Sequence, residues 1–112
     1  MAGLRSFRVE LRTPEGSTVV QCLRGEAVWR AAERAGLRLP AICQQGRCLT
    51  CAARLREGGV DMSSADMYFP EDREAGFVLL CTARPRGSLV VETHQEDAMR
   101  IHRRAKGLPA PY

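Results

Sequence analysis

An α+β domain is what this sequence predicts, on three observations: strand-like alternation recurs along the chain, one amphipathic helical pattern interrupts it early, and the order reads strand, strand, helix, loop, strand, loop, strand, strand. One helix must then pack against a mixed sheet. With 112 residues there is room for one domain with a modest core, and too little chain to add a nucleotide-binding domain.

The elements follow in order. In "FRVELRT", Phe7, Val9 and Leu11 alternate with Arg8, Glu10 and Arg12, the pattern of a half-buried strand. "PEG" turns the chain into "STVVQCL", its expected hairpin partner. Cys22 in this second strand, out of phase with Val19 and Leu23, reads as a small packed residue. "GEAVWRAAERAG" places Val28, Ala31, Ala32 and Ala35 at helical spacing between Gly25 as cap and Gly36 as stop, for a helix of about ten residues. "CAARLRE" alternates again and ends at Gly58-Gly59. "FVLLCTA" and "SLVVET" predict two further strands separated by "RPRG". "THQE" has the form of a capping box, with Thr93 as cap and Glu96 reaching back, opening a helix over 94–106 that ends at Gly107 and Pro109. Ala98, Ile101 and Ala105 share one face of that helix, leaving Arg100, Arg103, Arg104 and Lys106 to form a basic outer face. It either covers an edge of the core or meets a partner.

The net charge of +4 is unevenly distributed. Residues 1–60 hold ten arginines against five acids, 61–97 hold three against eight, and 98–112 hold four cations and no acid. A polarised chain of this kind gives no nucleic-acid signature, and each charged run also suits a solvated face. No run of apolar residues is long enough for a membrane span, and "MAGLRSFRVE" lacks the apolar stretch of a signal peptide. The expected location is the cytoplasm, where thiols stay reduced and cysteines serve as ligands or packed residues. No Ser-His-Asp or Cys-His pairing suggests catalysis, so the expectation is a non-enzyme.

Chemistry concentrates in "CQQGRCLTC". Cys43, Cys48 and Cys51 are separated by four and two residues, and Cys81 follows after 29 more. Structural zinc sites pair short knuckles at both ends, which makes a zinc adaptor module the weaker alternative. Rieske centres need two histidines beside two cysteines, and His94 and His102 lie near no cysteine in the sequence. The spacing C-x4-C-x2-C with a distant fourth cysteine is that of a plant-type [2Fe–2S] centre. Gly46 allows close backbone approach to inorganic sulfide, and Leu39, Ile42 and Leu49 are placed to exclude water. Arg47 lies inside the ligand loop, where a cation is expected to raise the reduction potential by roughly 20–60 mV.

At this point the chain resembles the chloroplast-type ferredoxins of plants and cyanobacteria and their bacterial relatives. The resemblance runs from about Ser6 to Met99 and rests on "AAERAGLRLPAICQQGRCLTCA", "GGVDMSSADM" and "EAGFVLLCTARP" with "LVVETHQED". It implies a β-grasp fold over residues 1–99, with 100–112 as a basic helical extension and tail. It implies one-electron transport by a monomer between a ferredoxin reductase and an acceptor such as an oxygenase, P450 or biosynthetic reductase, or the reductive reactivation of a non-haem iron dioxygenase. Gln44 stands where the family usually has Arg, and Arg47 where it has a small residue. The family's docking stretches fall on the acidic segment, here Asp61, Asp66, Glu71, Asp72 and Glu74, then Glu92, Glu96 and Asp97. Its docking aromatic aligns with Met67, which leaves Tyr68 or Phe69 to take that part.

Overall fold

The computed structural model describes residues 6–41 and 49–110. Strands β1 (Ser6–Thr13) and β2 (Gly16–Leu23) form an antiparallel hairpin in which Val9 opposes Val20. Alternation works as expected: Val9, Leu11, Val20 and Cys22 are buried, while Val19 and Leu23 face outward.

Helix α1 (Val28–Arg34) has seven residues and is shorter than its sequence pattern. The cap is Ala27 rather than Gly25, because Arg24 and Gly25 form a turn closed by the Glu26 N–H donating to Leu23 O at 2.9 Å. No side chain caps the helix. Instead the Val28 N–H donates to Ala83 O at 2.9 Å and the Trp29 N–H to Leu80 O at 3.0 Å, so tertiary carbonyls satisfy donors that a capping side chain usually takes. At the other end, Gly36 N–H bonds Glu33 O and Leu37 N–H bonds Ala32 O, the paired bonds of a Schellman ending.

The remaining elements are β3 (Ala52–Glu57), β4 (Val60–Asp61), α2 (Pro70–Glu74), β5 (Phe77–Leu79), β6 (Arg84–Pro85), β7 (Leu89–Glu92) and α3 (Glu96–Ala105). Five strands form one sheet in the order β2-β1-β7-β3-β5, and β4 and β6 form a separate antiparallel pair. First and last strands, β1 and β7, lie side by side in parallel, while the other neighbours are antiparallel. Val28, Ala31 and Ala32 of α1 pack into the same core as Val9, Leu11, Leu79 and Val91. This is the β-grasp arrangement. The run 77–83 is not one strand: β5 stops at Leu79, and the N–H groups of Thr82 and Ala83 both turn back to Leu79 O. That turn carries Cys81.

The C-terminal helix departs from its sequence reading in two ways. Thr93 is buried and its N–H donates to Arg12 O at 2.9 Å, continuing the β1–β7 pairing, so the helix starts after Gln95 with no side-chain cap and no capping box. The inward face also differs. Ile101 is 68% exposed, whereas Met99 and Arg103, one turn apart, are fully buried. Arg103 therefore leaves the expected basic outer face and forms a buried ion pair with Asp72, with its Nη2 at 2.8 Å from Oδ2. Asp72 also accepts the Phe69 N–H at 3.0 Å and lies 3.0 Å from His102 Nε2. The other guanidinium donors reach Met67 O and Pro109 O, so every strong partner of the charge is accounted for.

Candidate metal centre

Two of the four candidate ligands are described, and the fold brings them together. Cys51 precedes β3 and Cys81 follows β5, two neighbouring antiparallel strands, and the Leu80 N–H donates to Cys51 O at 3.1 Å. Their Sγ atoms lie 3.0 Å apart. Two thiolates sharing one tetrahedral metal at about 2.3 Å sit about 3.8 Å apart, and a disulfide needs about 2.05 Å. The pair thus fits shared ligation after small side-chain rotations.

Both segments are fixed from behind. The turn with Cys81 is tied to the first turn of α1 through Leu80 O and Ala83 O. Trp29, on that helix, donates its Nε1–H to Leu39 O at 2.9 Å and so anchors the chain entering the cysteine loop. Leu39, before the loop, and Leu49, between Cys48 and Cys51, are both buried in the core. A metal group held here gains a dry backing from those two leucines. Sequence reading anticipated the leucines but missed Trp29 as an anchor, because an indole hydrogen bond leaves no periodic trace. Cys43, Gly46, Arg47 and Cys48, with Ile42 and Gln44, lie outside the described residues.

Cys22 is separate from this centre. It is fully buried in β2, its thiol donates to Glu26 O at 3.2 Å, and burial, followed by the Glu26 charge, pushes its pKa up to about 12.

The expected docking residues divide by exposure. Asp66, Glu74 and Asp97 are exposed, and Asp61 and Glu71 are half-exposed. Asp72 is a correction: it is wholly buried against Arg103 and is unavailable to a partner. Glu92 pairs with Arg56, and Glu96 with Arg100 at 2.8 Å. Met67 and Phe69 are half-buried, and the Arg103 guanidinium lies 4.8 Å from the Phe69 ring centre. Tyr68 turns its hydroxyl inward to donate to Phe77 O at 2.6 Å, and burial raises its pKa to about 12.

The fold defines a β-grasp protein, with two described thiols close enough to share one metal. Comparison with known proteins makes this specific. The family described as "2Fe-2S iron-sulfur cluster binding domain" matches residues 12–86. Ferredoxin-2 of a Synechococcus species is 38% identical over 96 residues, covering 86% of this chain and 91% of the relative. The vegetative ferredoxin of Trichormus variabilis is 41% identical over 92 residues, covering 82% and 84%. Among solved structures, a cytochrome P450 reductase of Amycolatopsis superposes with a TM-score of 0.70 and 33% identity over 79% of this chain, which spans 26% of that protein. The chain belongs to the plant-type [2Fe–2S] ferredoxin family; its cofactor is a [2Fe–2S] cluster and its function is electron transport. No helix among the described residues is long and apolar enough to cross a membrane.

Proposed function

We propose that the chain is a monomeric cytoplasmic one-electron carrier whose cluster is held by Cys43, Cys48, Cys51 and Cys81. The approach of Cys51 to Cys81, at 3.0 Å between sulfurs, is the observation that carries this reading. When bound, the cluster accepts and releases a single electron. The protein's part is to supply deprotonated thiolates, to keep the Cys81 turn from moving as charge changes, and to exclude water behind the site with Leu39 and Leu49. Gly46 and Arg47 complete the surroundings from within the loop. The ferredoxin domain is assigned to 1–99, with 100–112 as a basic helical extension and tail. No catalytic role is assigned.

A separate ferredoxin reductase delivers the electron, and an acceptor such as an oxygenase or P450 takes it. Likeness to a domain inside a cytochrome P450 reductase supports partners of this kind. A structural zinc module is disfavoured by the family match.

The test is spectroscopic. Purified protein is expected to be red-brown, to bleach on reduction with dithionite, and to take up one electron per chain. Replacing Cys43, Cys48, Cys51 or Cys81 by Ala is expected to abolish or badly disturb the visible absorbance, while Cys22→Ser retains it. A folded but colourless Cys22→Ser protein overturns the ligand assignment.

A further inference from the structure

A predominantly basic cleft includes Arg84, three residues after the proposed Cys81 ligand. Arg24 after β2, Arg84 in β6 and Arg86 after β6 line one surface cleft of about 460 Å³, with Phe7, Pro85 and a single carboxylate, Asp61. Arg84 is fixed, since its Nε–H donates to Gly25 O at 3.0 Å and its guanidinium meets Ser64 Oγ. The Arg86 backbone is fixed too, its N–H donating to Gly59 O at 3.0 Å. The side chains of Arg24 and Arg86 are exposed and make no ion pair or hydrogen bond among the described residues. Asp61 already accepts the Ser63 N–H at 2.8 Å and feels the charges of Arg86 and Arg84, and one carboxylate against three guanidinium groups leaves two positive charges in excess.

Part of the acidic segment is committed to internal pairs. Asp72 is buried by Arg103, Glu92 is matched by Arg56 and Glu96 by Arg100. Three of the eight acidic residues of the expected docking face are thus neutralised, while Asp66, Glu71, Glu74 and Asp97 keep an exposed or half-exposed acidic surface apart from the arginine cleft. The cleft is close to the site of electron exchange. Arg84 follows Cys81 by three residues, and at about 3.6 Å per extended residue its Cα lies within about 11 Å of the ligand's.

We propose that the Arg24–Arg84–Arg86 cleft is a docking site for carboxylate side chains on an acidic redox-partner protein, an inference that rests on the electron-carrier reading above. Guanidinium forks donate bidentately to carboxylates, which fixes orientation as well as attraction. Arg24 and Arg86 grip the partner, and Arg84, held by Gly25 and Ser64, sets the floor between them. Long-range attraction of this kind speeds encounter without making a tight complex, as suits a carrier that must leave after transfer.

An oligoglutamate peptide carrying a fluorophore serves as probe, with binding to the cluster-loaded protein read by anisotropy at low ionic strength. Arg24→Glu/Arg86→Glu is expected to weaken binding roughly tenfold or more, a difference that closes at high salt as the Debye length falls to about 3 Å at 1 M. The control Arg104→Glu/Lys106→Glu changes net charge equally and is expected to leave most of the binding intact. Equal weakening in both double variants overturns the cleft, since net charge alone then explains the attraction. Oligothymidylate binding more tightly than oligoglutamate, and through the same arginines, also overturns it in favour of phosphate. Bleaching by dithionite in the same samples separates the two levels: a chain that takes up no electron defeats the carrier reading, whereas normal reduction with indifferent peptide binding defeats the cleft alone.

Discussion

Cys22 and Cys81 are both thiols in one small core, and what separates their chemistry is where each side chain ends. Cys81 sits half-buried on a turn beside a second sulfur, whereas the Cys22 thiol is closed into the β1–β2 hairpin and bonded to a backbone carbonyl. A thiolate is the reactive species, so a pKa of about 12 makes Cys22 inert at neutral pH. Iodoacetamide at pH 8, with alkylation mapped by mass spectrometry, is expected to leave Cys22 unmodified in the folded protein and to modify it after urea unfolding. The same shift has a consequence for stability. The unfolded thiol ionises near its ordinary 9.0 while the folded one holds its proton to about 12, so this group's contribution is complete below pH 9 and is lost as pH rises from 9 to 12. In Cys22→Ser, urea midpoints measured across that alkaline range are expected to fall less steeply than in the wild type. Tyr68 makes a comparable point about sequence-level docking residues. Its hydroxyl is committed to Phe77 O, so Tyr68→Phe is expected to cost about 1 kcal/mol of stability, read as a lower urea midpoint.

At the scale of elements, the β3–β4 turn shows how a short connection can be demanding. Gly58 has φ +96, and a Cβ there would meet the carbonyl oxygen of Ser88 and the side chain of Leu89, which opens β7. Backbone cannot yield as a flexible side chain would. Gly58→Ala is therefore expected to destabilise the domain by about 2–3 kcal/mol, measured by chemical denaturation, while Gly59→Ala, which meets nothing, changes little. The glycine pair was legible in the sequence as the end of β3, though not which of the two is essential. Long elements were legible because pattern and length agreed: β1 and β3 fall where alternation put them, and β2 and β7 where apolar runs between turn residues did. β4 and β6 were not, since two residues carry no period, and α2 was hidden in an acidic stretch that also suits a loop. In α3 the pattern misled. Ala98, Ile101 and Ala105 do share a face, but the inward face is chosen by Arg103 meeting Asp72, 31 residues earlier in the chain, and local patterning cannot state a partner that distant. For the metal centre the cysteine spacing named all four candidates. The fold adds the convergence of two of them and the anchoring of their turn.

For the molecule as a whole, the open question is whether residues beyond Met99 are an appendage or part of the fold. Arg103 and Asp72 are both fully buried, and the same guanidinium holds the carbonyls of Met67 and Pro109, so α3 clamps the segment 66–72 against the sheet. His102 adds to the clamp, its ring 5.1 Å from that of Phe77 in β5 and its Nε2 beside Asp72. Removing one partner of such a pair leaves a buried charge unmatched, which costs about 3–5 kcal/mol, whereas replacing both by apolar groups is often neutral. Total stability of a domain is about 5–15 kcal/mol, so a chain ending at Met99 is expected to lose a large part of it. The expected outcome is a single urea transition at a much lower midpoint, with faster proteolysis within 62–74. The role of the ion pair is isolated by repeating the truncation in Asp72→Leu. Without the carboxylate to strand, truncation is expected to cost far less, and the two changes are non-additive because they remove the same interaction. A truncated chain as stable as the full one, or a truncation cost that is the same in both backgrounds, shows that α3 is an appendage and that its buried arginine holds nothing together.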